Sequence, residues 1–179
     1  MIETNRLILR EFNEKDLDKL YILMRNNGFI YNFPDKSYLL RYIQNLKKKG
    51  NHFRPDDTRF VLGIFLKDKP KLVGWSAVLP SRRLTSEQRE RKVVIANDHR
   101  KKGYATESGK AILEYMFNKT NHDEIIIRVS RSSFYYKPIA KSIIKKGYEP
   151  ITSKNSNKRS KYAYFMLTKE NFMNNREKF

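Results

Sequence analysis

A short basic turn between an apolar run and a helical segment constrains this chain more than any other stretch. The run Val93-Val94-Ile95-Ala96 predicts a strand, the turn Arg100 to Ala105 contains Gly103, and a helical pattern follows from Thr106 to Phe117. The first turn of a helix has unpaired N–H groups and the positive end of the helix dipole, and Gly103 permits close backbone approach. This order of elements predicts a binding site for a pyrophosphate or another polyanion. The spacing leaves one alternative open, a strand-to-helix turn with a solvated basic edge.

The charge of the chain points to anionic partners as well. The sequence contains 38 Lys and Arg residues against 19 Asp and Glu residues, which gives a net charge of +19 and a pI of about 10.0. Such a surface attracts tRNA, rRNA, acidic proteins and phosphorylated cofactors. A lysine-rich surface that serves only solubility has the same composition, so the charge alone does not define a nucleic-acid site.

Length and composition predict one folded domain that spans residues 1–179, with 39% hydrophobic residues. The absence of cysteine excludes disulfides and a cysteine nucleophile, and His52, His99 and His122 lack metal-ligand spacing. We therefore expect no metal, and we expect these histidines at the surface. No stretch has the length of a membrane span, and the first residues lack the apolar core of a signal peptide. These features predict a cytoplasmic protein, either a monomer or a homodimer.

Periodicity along the chain predicts a mixed α/β domain in the order strand, two helices, three strands, helix, strand, helix and two strands. Asn13 is expected to cap the first helix with Asp16, and Pro138 is tolerable only in the first turn of its helix. The expected strands are 2–12, 60–66, 71–79, 89–96, 124–129, 148–151 and 162–167, and the expected helices are 14–26, 35–49, 106–117 and 133–146.

This order, with an Arg-x-x-Gly-x-Ala turn between the fourth strand and the third helix, resembles the GNAT N-acetyltransferase superfamily over nearly the whole chain. Glu3-Thr4-Asn5-Arg6-Leu7-Ile8-Leu9-Arg10 is similar to the "ETxRLxLR" start of the ribosomal-protein N-terminal acetyltransferase (Rim) branch. Gly103-Tyr104-Ala105-Thr106-Glu107 is similar to its "GYATE", and Lys145-Lys146-Gly147-Tyr148-Glu149 to its "KLGFE". The resemblance implies a GNAT-like, mostly antiparallel twisted sheet of about seven strands flanked by about four helices.

The resemblance also implies acetyl-CoA as co-substrate, because in this family the turn binds the pyrophosphate of acetyl-CoA through backbone amides. The preceding strand is then expected to pair with the amide groups of the pantetheine arm. The family often has glycine where this chain has Lys101. The implied cofactor-binding residues are Val94, Ile95, Arg100, Lys101, Lys102, Gly103, Tyr104, Ala105 and Thr106.

Acetyl transfer to an amine needs a base for the amine and an acid for the departing thiolate. Family members often have a glutamate in the fourth strand, and Glu90 is the corresponding candidate base. The alternative is a strand glutamate that forms salt bridges with Arg89, Arg91 and Lys92.

The candidate acid departs from the pattern of the Rim branch. The asparagine and serine positions of its "NxxSxxVxxKLGF" segment hold Tyr136 and Ile139, and the tyrosine position of other members holds Ile143. Because isoleucine cannot donate a proton, the candidates are Tyr136, which we prefer, Tyr135 and Ser142. Protonation by solvent is a further alternative.

These features predict an N-acetyltransferase that acts on a primary amine, foremost a protein N-terminus, with ribosomal proteins as one class of acceptor. An enzyme similar to aminoacyl-tRNA-acetylating toxins is one alternative, and a degenerate acetyl-CoA or nucleic-acid binding protein is another. Polyamine acceptors would be repelled by the net charge of +19. The resemblance implies an acceptor groove that includes segments 29–34 and 154–161.

Overall fold

The computed structural model describes residues 1–26, 35–48, 59–81, 88–134, 136–151 and 161–179. Within these ranges the strands form one eight-stranded sheet. The expected loop 29–34, most of the expected loop 154–161, Tyr135 and His52 lie outside the described residues. The strands are β1 Ile2–Glu3, β2 Leu7–Arg10, β3 Phe60–Leu66, β4 Leu72–Pro80, β5 Arg89–Ile95, β6 Glu124–Ser130, β7 Glu149–Ile151 and β8 Tyr162–Thr168, and the helices are α1 Leu17–Asn26, α2 Lys36–Lys48, α3 Tyr104–Lys119, α4 Tyr136–Lys145 and α5 Lys169–Asn174.

The two faces of the sheet carry separate cores. Residues of α1 and α2 pack with Trp75 and Ala77 on one face. Residues of α3, α4 and α5 pack with Ile95, Ile125 and Val129 on the other face. Because successive side chains of a strand point to opposite faces, each central strand contributes to both cores. The described strands have the order β1-β2-β3-β4-β5-β6-β8-β7, and each of these pairs is antiparallel except β5 with β6, which is parallel.

The first expected strand is wrong as a single element, because the chain turns back on itself within it. β1 and β2 pair antiparallel with Ile2 opposite Leu9. Thr4 closes the turn, since its N–H donates to Leu7 O and its Oγ1 accepts a hydrogen bond from Leu7 N. A short polar side chain that bonds the local backbone favours such a turn over a continuous strand.

The helix expected at 133–146 begins later, at Tyr136. Pro138 is then the third residue of α4, where its missing N–H is one of those without an intrahelical partner. A start at Ser133 would have put this proline beyond the first turn. The helix expected at 106–117 also differs, because α3 begins at Tyr104, directly after Gly103.

The last part of the chain forms more structure than expected. β8 lies between β6 and β7, so the final strand pairs with both. Thr168 caps α5, a helix that the periodicity did not predict, by accepting a hydrogen bond from Asn171 N. The described residues therefore contain eight strands and five helices, against about seven and about four expected from the resemblance. No helix in the described ranges has the length and apolarity needed to span a membrane.

The predicted capping contact at the start of the first helical segment is present. Asn13 N donates to Asp16 Oδ2 at 2.9 Å, and the Arg10 guanidinium binds both oxygens of this buried carboxylate at 2.7 and 2.9 Å. Burial by itself raises the pKa of Asp16, but the hydrogen bonds from Arg10 and Asn13 outweigh it, and the pKa lies below its usual value.

We expect Asp16→Asn to lower the free energy of unfolding at pH 7 by about 2 kcal/mol, because it removes the charge-assisted pair with Arg10. Since the folded-state pKa of Asp16 is depressed, its contribution is present above the unfolded pKa and is lost as the pH falls through the folded pKa. Urea titrations between pH 7 and pH 2 should therefore show wild type and variant converging in acid. Asp18→Asn, which breaks the exposed pair with Lys36, is the control and should cost under about 0.5 kcal/mol. An equal loss at pH 7 and pH 2 would contradict this account.

Candidate active site

Strands β5 and β6 separate in the middle of the sheet. β5 pairs with β4 from Arg89–Pro80 to Ile95–Gly74. Its pairing with β6 is confined to Glu90 with Ile126 and Arg91 with Ile127, although β6 continues to Ser130 alongside β8. The edge of β5 from Lys92 onward therefore has no strand partner on the β6 side within the described residues. An extended ligand with amide groups can pair with such an edge.

The turn after β5 has the backbone geometry of an anion site. Gly103 precedes α3 with φ of 83°, and Lys101 has φ of 60°. Gly103 O accepts from Thr106 N and Glu107 N at 3.1 and 3.0 Å. In the described part of the chain, the N–H groups of residues 101–105 donate to no backbone carbonyl. Successive free N–H groups at a left-handed turn and a helix start form a concave site for an anion. Lys101 thus adopts a conformation that favours glycine.

The N-terminal motif holds this turn in place. Glu107 accepts hydrogen bonds from Thr4 Oγ1 at 2.6 Å, from Arg6 N at 2.9 Å and from Arg6 Nε at 2.7 Å. Arg6 Nη1 also donates to Lys102 O at 3.0 Å, and the guanidinium lies 4.9 Å from the centre of the Tyr104 ring. Burial alone would raise the pKa of Glu107, but the hydrogen bonds from Thr4 and Arg6 lower it overall. Two motifs that are far apart in sequence therefore form one clamp.

Further cations surround the start of α3. Arg91 Nη2 donates to Ala105 O at 3.3 Å, and Lys146 Nζ donates to Thr106 Oγ1 at 3.4 Å. Burial and, after it, the charge of Arg91 lower the pKa of Lys146. Cations that destabilise one another in this way are stabilised by an anion placed between them. Arg100 lies at the same turn, where its Nε donates to Ile95 O at 3.1 Å.

Glu90 lies at the position where β5 and β6 are still paired, just before they separate. Its side chain is 7% exposed, with Oε1 at 3.2 Å from Arg128 Nε and 3.8 Å from Lys92 Nζ. Within the described residues Oε1 has no aligned hydrogen bond. The carboxylate therefore has ionic neighbours but keeps an oxygen that can accept a proton. Its partners differ from the expected salt bridges, since Arg128 replaces Arg89 and Arg91.

The acid candidates are not brought together. Tyr136 is half-buried against the core, and its Oη accepts a hydrogen bond from Arg131 Nη1 at 3.3 Å. Because Arg131 is the donor, the hydroxyl proton of Tyr136 remains available to another acceptor. Ser142 is exposed, and Ile139 is 40% exposed. Ala140 and Ile143 pack on the same core as Tyr136.

Sequence reasoning missed several of these contacts. Arg128 was not a candidate because its pairing with Glu90 crosses from one strand to the next. The likeness of the opening segment to a motif pointed to Arg6, but gave it no role. His99, expected at the surface, is buried.

A separate open cavity of about 640 Å³ lies beside the end of β5 on the α1 side, and none of the predicted site residues line it.

Comparison with protein families gives a match to a model described as acetyltransferase (GNAT) domain, over residues 6–132. The comparison with curated protein sequences found no match.

Solved structures with the same fold belong to enzymes of different kinds. Spermidine N-acetyltransferase from Vibrio cholerae, in complex with CoA and spermine, is 15% identical with a TM-score of 0.70, covering 95% of this chain and 99% of that one. A protein from Vibrio cholerae assigned as a ribosomal-protein-serine acetyltransferase is 15% identical with a TM-score of 0.69, covering 93% and 96%. FdhC, described as a nucleotide-linked sugar GNAT, is 17% identical with a TM-score of 0.69, covering 98% and 94%. At these identities the similarity shows the fold alone.

Proposed function

Since the chain belongs to the GNAT acetyltransferase family, we propose that it is one domain, residues 1–179, that transfers the acetyl group of acetyl-CoA to a primary amine. The acceptor we propose is a protein N-terminus, as in the Rim-like branch that its motifs resemble. The observation that carries this proposal is that the free edge of β5 is followed, after one short helical turn at Asn97–His99, by the turn with free N–H groups.

The site fits acetyl-CoA, which supplies the acetyl thioester when bound. The N–H groups of residues 101–105 suit its pyrophosphate, and Arg91, Lys102 and Lys146 add positive charge around it. Val94 and Ile95 lie where no strand pairs with β5 on the β6 side, which suits the amide groups of its pantetheine arm, although Ile95 O already accepts from Arg100 Nε. A pyrophosphate binds better at a turn whose backbone is already held in shape, and Arg6 and Glu107 provide that support.

Two residues of this chain carry out the two proton transfers that the reaction needs. Glu90 takes a proton from the attacking amine, directly or through one water, as the bond from nitrogen to the acetyl carbon forms. Tyr136 gives its hydroxyl proton to the sulfur as the carbon–sulfur bond breaks, and solvent restores that proton. Arg131, which already donates to Tyr136 Oη, stabilises the negative charge that remains on the oxygen.

Thiol release from acetyl-CoA with a panel of N-terminal peptides tests the proposal. We expect acetyl-CoA consumption that depends on the peptide and a product that is heavier by one acetyl group at its α-amine. Acetylation of polyamines or lysine side chains in place of the α-amine would contradict the acceptor class. A complete lack of acetyl-CoA binding by calorimetry would contradict the cofactor.

We expect Arg6→Gln to raise the KM for acetyl-CoA about fivefold to tenfold while kcat changes less than twofold, because the clamp orients the turn and does not touch the reacting atoms. Steady-state kinetics with varied acetyl-CoA measure both constants. Glu107→Gln should also raise the KM. The double variant should lose less binding free energy than the two single variants added together, because both substitutions break the same hydrogen-bond network. Arg176→Gln, which breaks the exposed pair with Glu114, is the matched control and should leave both constants unchanged. A change in kcat without a change in KM would contradict the role of the clamp.

We expect Tyr136→Phe to lower kcat about tenfold or more, since a positioned acid typically contributes at least that much. Ser142→Ala should leave kcat within about twofold, because the exposed hydroxyl lies off the core side of α4. Comparing kcat for these two variants decides between the acid candidates. The reverse order of effects would assign the acid to Ser142, and no effect from either would leave Tyr135 or solvent as the source of the proton.

A further inference from the structure

Two cations stand on either side of the point where β5 and β6 separate. Lys92 on β5 and Arg128 on β6 each follow the last paired position of their strand. On β5, Lys92 shares a face with Glu90, whose β4 partner Leu79 packs on the α1–α2 core. On β6, the next residue, Val129, packs in the core on the opposite face of the sheet. Because successive side chains point to opposite faces, the side chain of Arg128 also lies on the α1–α2 face. Both cations therefore flank Glu90 at the mouth of the opening.

The charge that this mouth presents is positive. The Lys92 side chain is 37% exposed and that of Arg128 is 27% exposed, whereas that of Glu90 is 7% exposed. Among the side chains that the structure describes here, one buried carboxylate thus lies beside two cations that reach solvent. A second anion can bind these cations without displacing Glu90.

Two tyrosines of β8, Tyr162 and Tyr164, lie next to Arg128. The Arg128 guanidinium lies 4.4 Å from the centre of the Tyr162 ring, which limits its orientation. Tyr164 is directly opposite Arg128 in the sheet and 4% exposed. Its buried hydroxyl has no hydrogen-bond partner within the described residues. A buried polar group without a partner is costly unless a ligand or water binds it.

We propose that this enzyme selects peptide N-termini with an acidic side chain in the first or second residue. The carboxylate binds Lys92 and Arg128, and the α-amine of the same peptide lies beside Glu90. This inference rests on the proposed function, because it concerns the acceptor that is acetylated there. The same pair of cations repels polyamines and peptides that begin with lysine.

The test uses peptides that differ only in their first residue, Asp, Asn or Lys, with the full-length enzyme and saturating acetyl-CoA. We expect kcat/KM for the Asp peptide to exceed that for the isosteric Asn peptide by at least about tenfold, as a charge-assisted contact provides. The Lys peptide should be the poorest acceptor. The ratio of Asp to Asn should fall as salt rises, because the cations are partly exposed.

The ratio of kcat/KM for the Asp peptide to that for the Asn peptide, measured in each variant, identifies the residues that bind the carboxylate. Arg128→Gln and Lys92→Gln should each bring the ratio of Asp to Asn towards one, and Arg128→Lys should keep most of it. Because the ratio compares two peptides on one enzyme, any effect of these variants on Glu90 cancels. Arg176→Gln, which breaks the distant pair with Glu114, is the control and should leave the ratio at the wild-type value.

Two results would overturn the inference while leaving the proposed function intact. One is equal or faster acetylation of the Asn peptide by the wild-type enzyme. The other is a preference for the Asp peptide that persists in both Arg128→Gln and Lys92→Gln. If none of the three peptides is acetylated while spermidine or free aspartate is, the N-terminal acceptor is wrong and the inference about peptides falls with it.

Discussion

Glu90→Gln is expected to lower kcat about 100-fold or more while the dissociation constant for acetyl-CoA changes less than about threefold. A positioned base typically contributes this much to proton transfer, and glutamine has nearly the same shape but cannot take the proton. Glu90 lies on the α1–α2 face of β5, away from the turn after the strand, so cofactor affinity should survive. Stopped thiol-release assays measure kcat, and calorimetry with CoA measures affinity.

The control for this variant is Glu114→Gln, which removes a carboxylate paired with Arg176 at 2.7 Å elsewhere on the molecule. It should leave kcat within about twofold. Because Glu90→Gln also leaves Arg128 and Lys92 without their carboxylate, thermal unfolding must show that the variant is folded. A folded variant with more than half of the wild-type kcat would remove Glu90 from the mechanism without affecting the family assignment.

Gly103→Ala is expected to raise the dissociation constant for acetyl-CoA about tenfold. A side chain at φ of 83° is strained by about 1–2 kcal/mol, and the built Cβ lies 3.1 Å from Arg6 Nη2. The free turn can relax to relieve this strain, and binding must then restore the original backbone. A cost of 1.4 kcal/mol corresponds to a tenfold change in affinity. Calorimetry with CoA gives the constant directly.

Gly147→Ala is a matched control, because Gly147 also has a positive φ, 89°, but follows α4. The built Cβ lies 2.7 Å from Asn175 Nδ2 and 3.2 Å from Asn171 O, so this variant should lose thermal stability. Its affinity for CoA should stay within about twofold of the wild type, since the turn of residues 100–106 is unchanged. Equal losses of affinity in the two glycine variants would mean that general instability, not the shape of the turn, lowers binding.

Local patterns predicted most of the elements in this fold. The strands at 60–66 and 89–96 and the hairpin between the second and third expected strands agree with the structure to within one residue, since alternation and turn residues act over short distances. The expected strand 2–12 failed because Thr4 offers the backbone a local hydrogen bond that periodicity does not detect. α5 was missed because it is short and depends on the cap from Thr168.

In the candidate site, too, some features could be predicted from the sequence and others could not. The free N–H groups of the turn follow from an order of residues that is continuous in sequence, so that order could predict an anion site. Lys92 was among the expected partners of Glu90, but Arg128 could not be predicted, because it reaches Glu90 from a strand that pairs only briefly with β5. The link between Arg6 and Glu107 likewise joins residues that are about a hundred positions apart.

The turn at residues 100–106 follows from local sequence, because backbone conformation and helix starts depend on residues a few positions away. Local sequence also predicts the excess of positive charge and most of the order of strands and helices, apart from the turn within residues 2–12 and α5. Three features depend on tertiary structure: β8 enters between β6 and β7, β5 and β6 separate beyond Arg91, and Arg128 joins Lys92 at Glu90. These features depend on which strands become neighbours, and the packing of two cores against one sheet determines those neighbours.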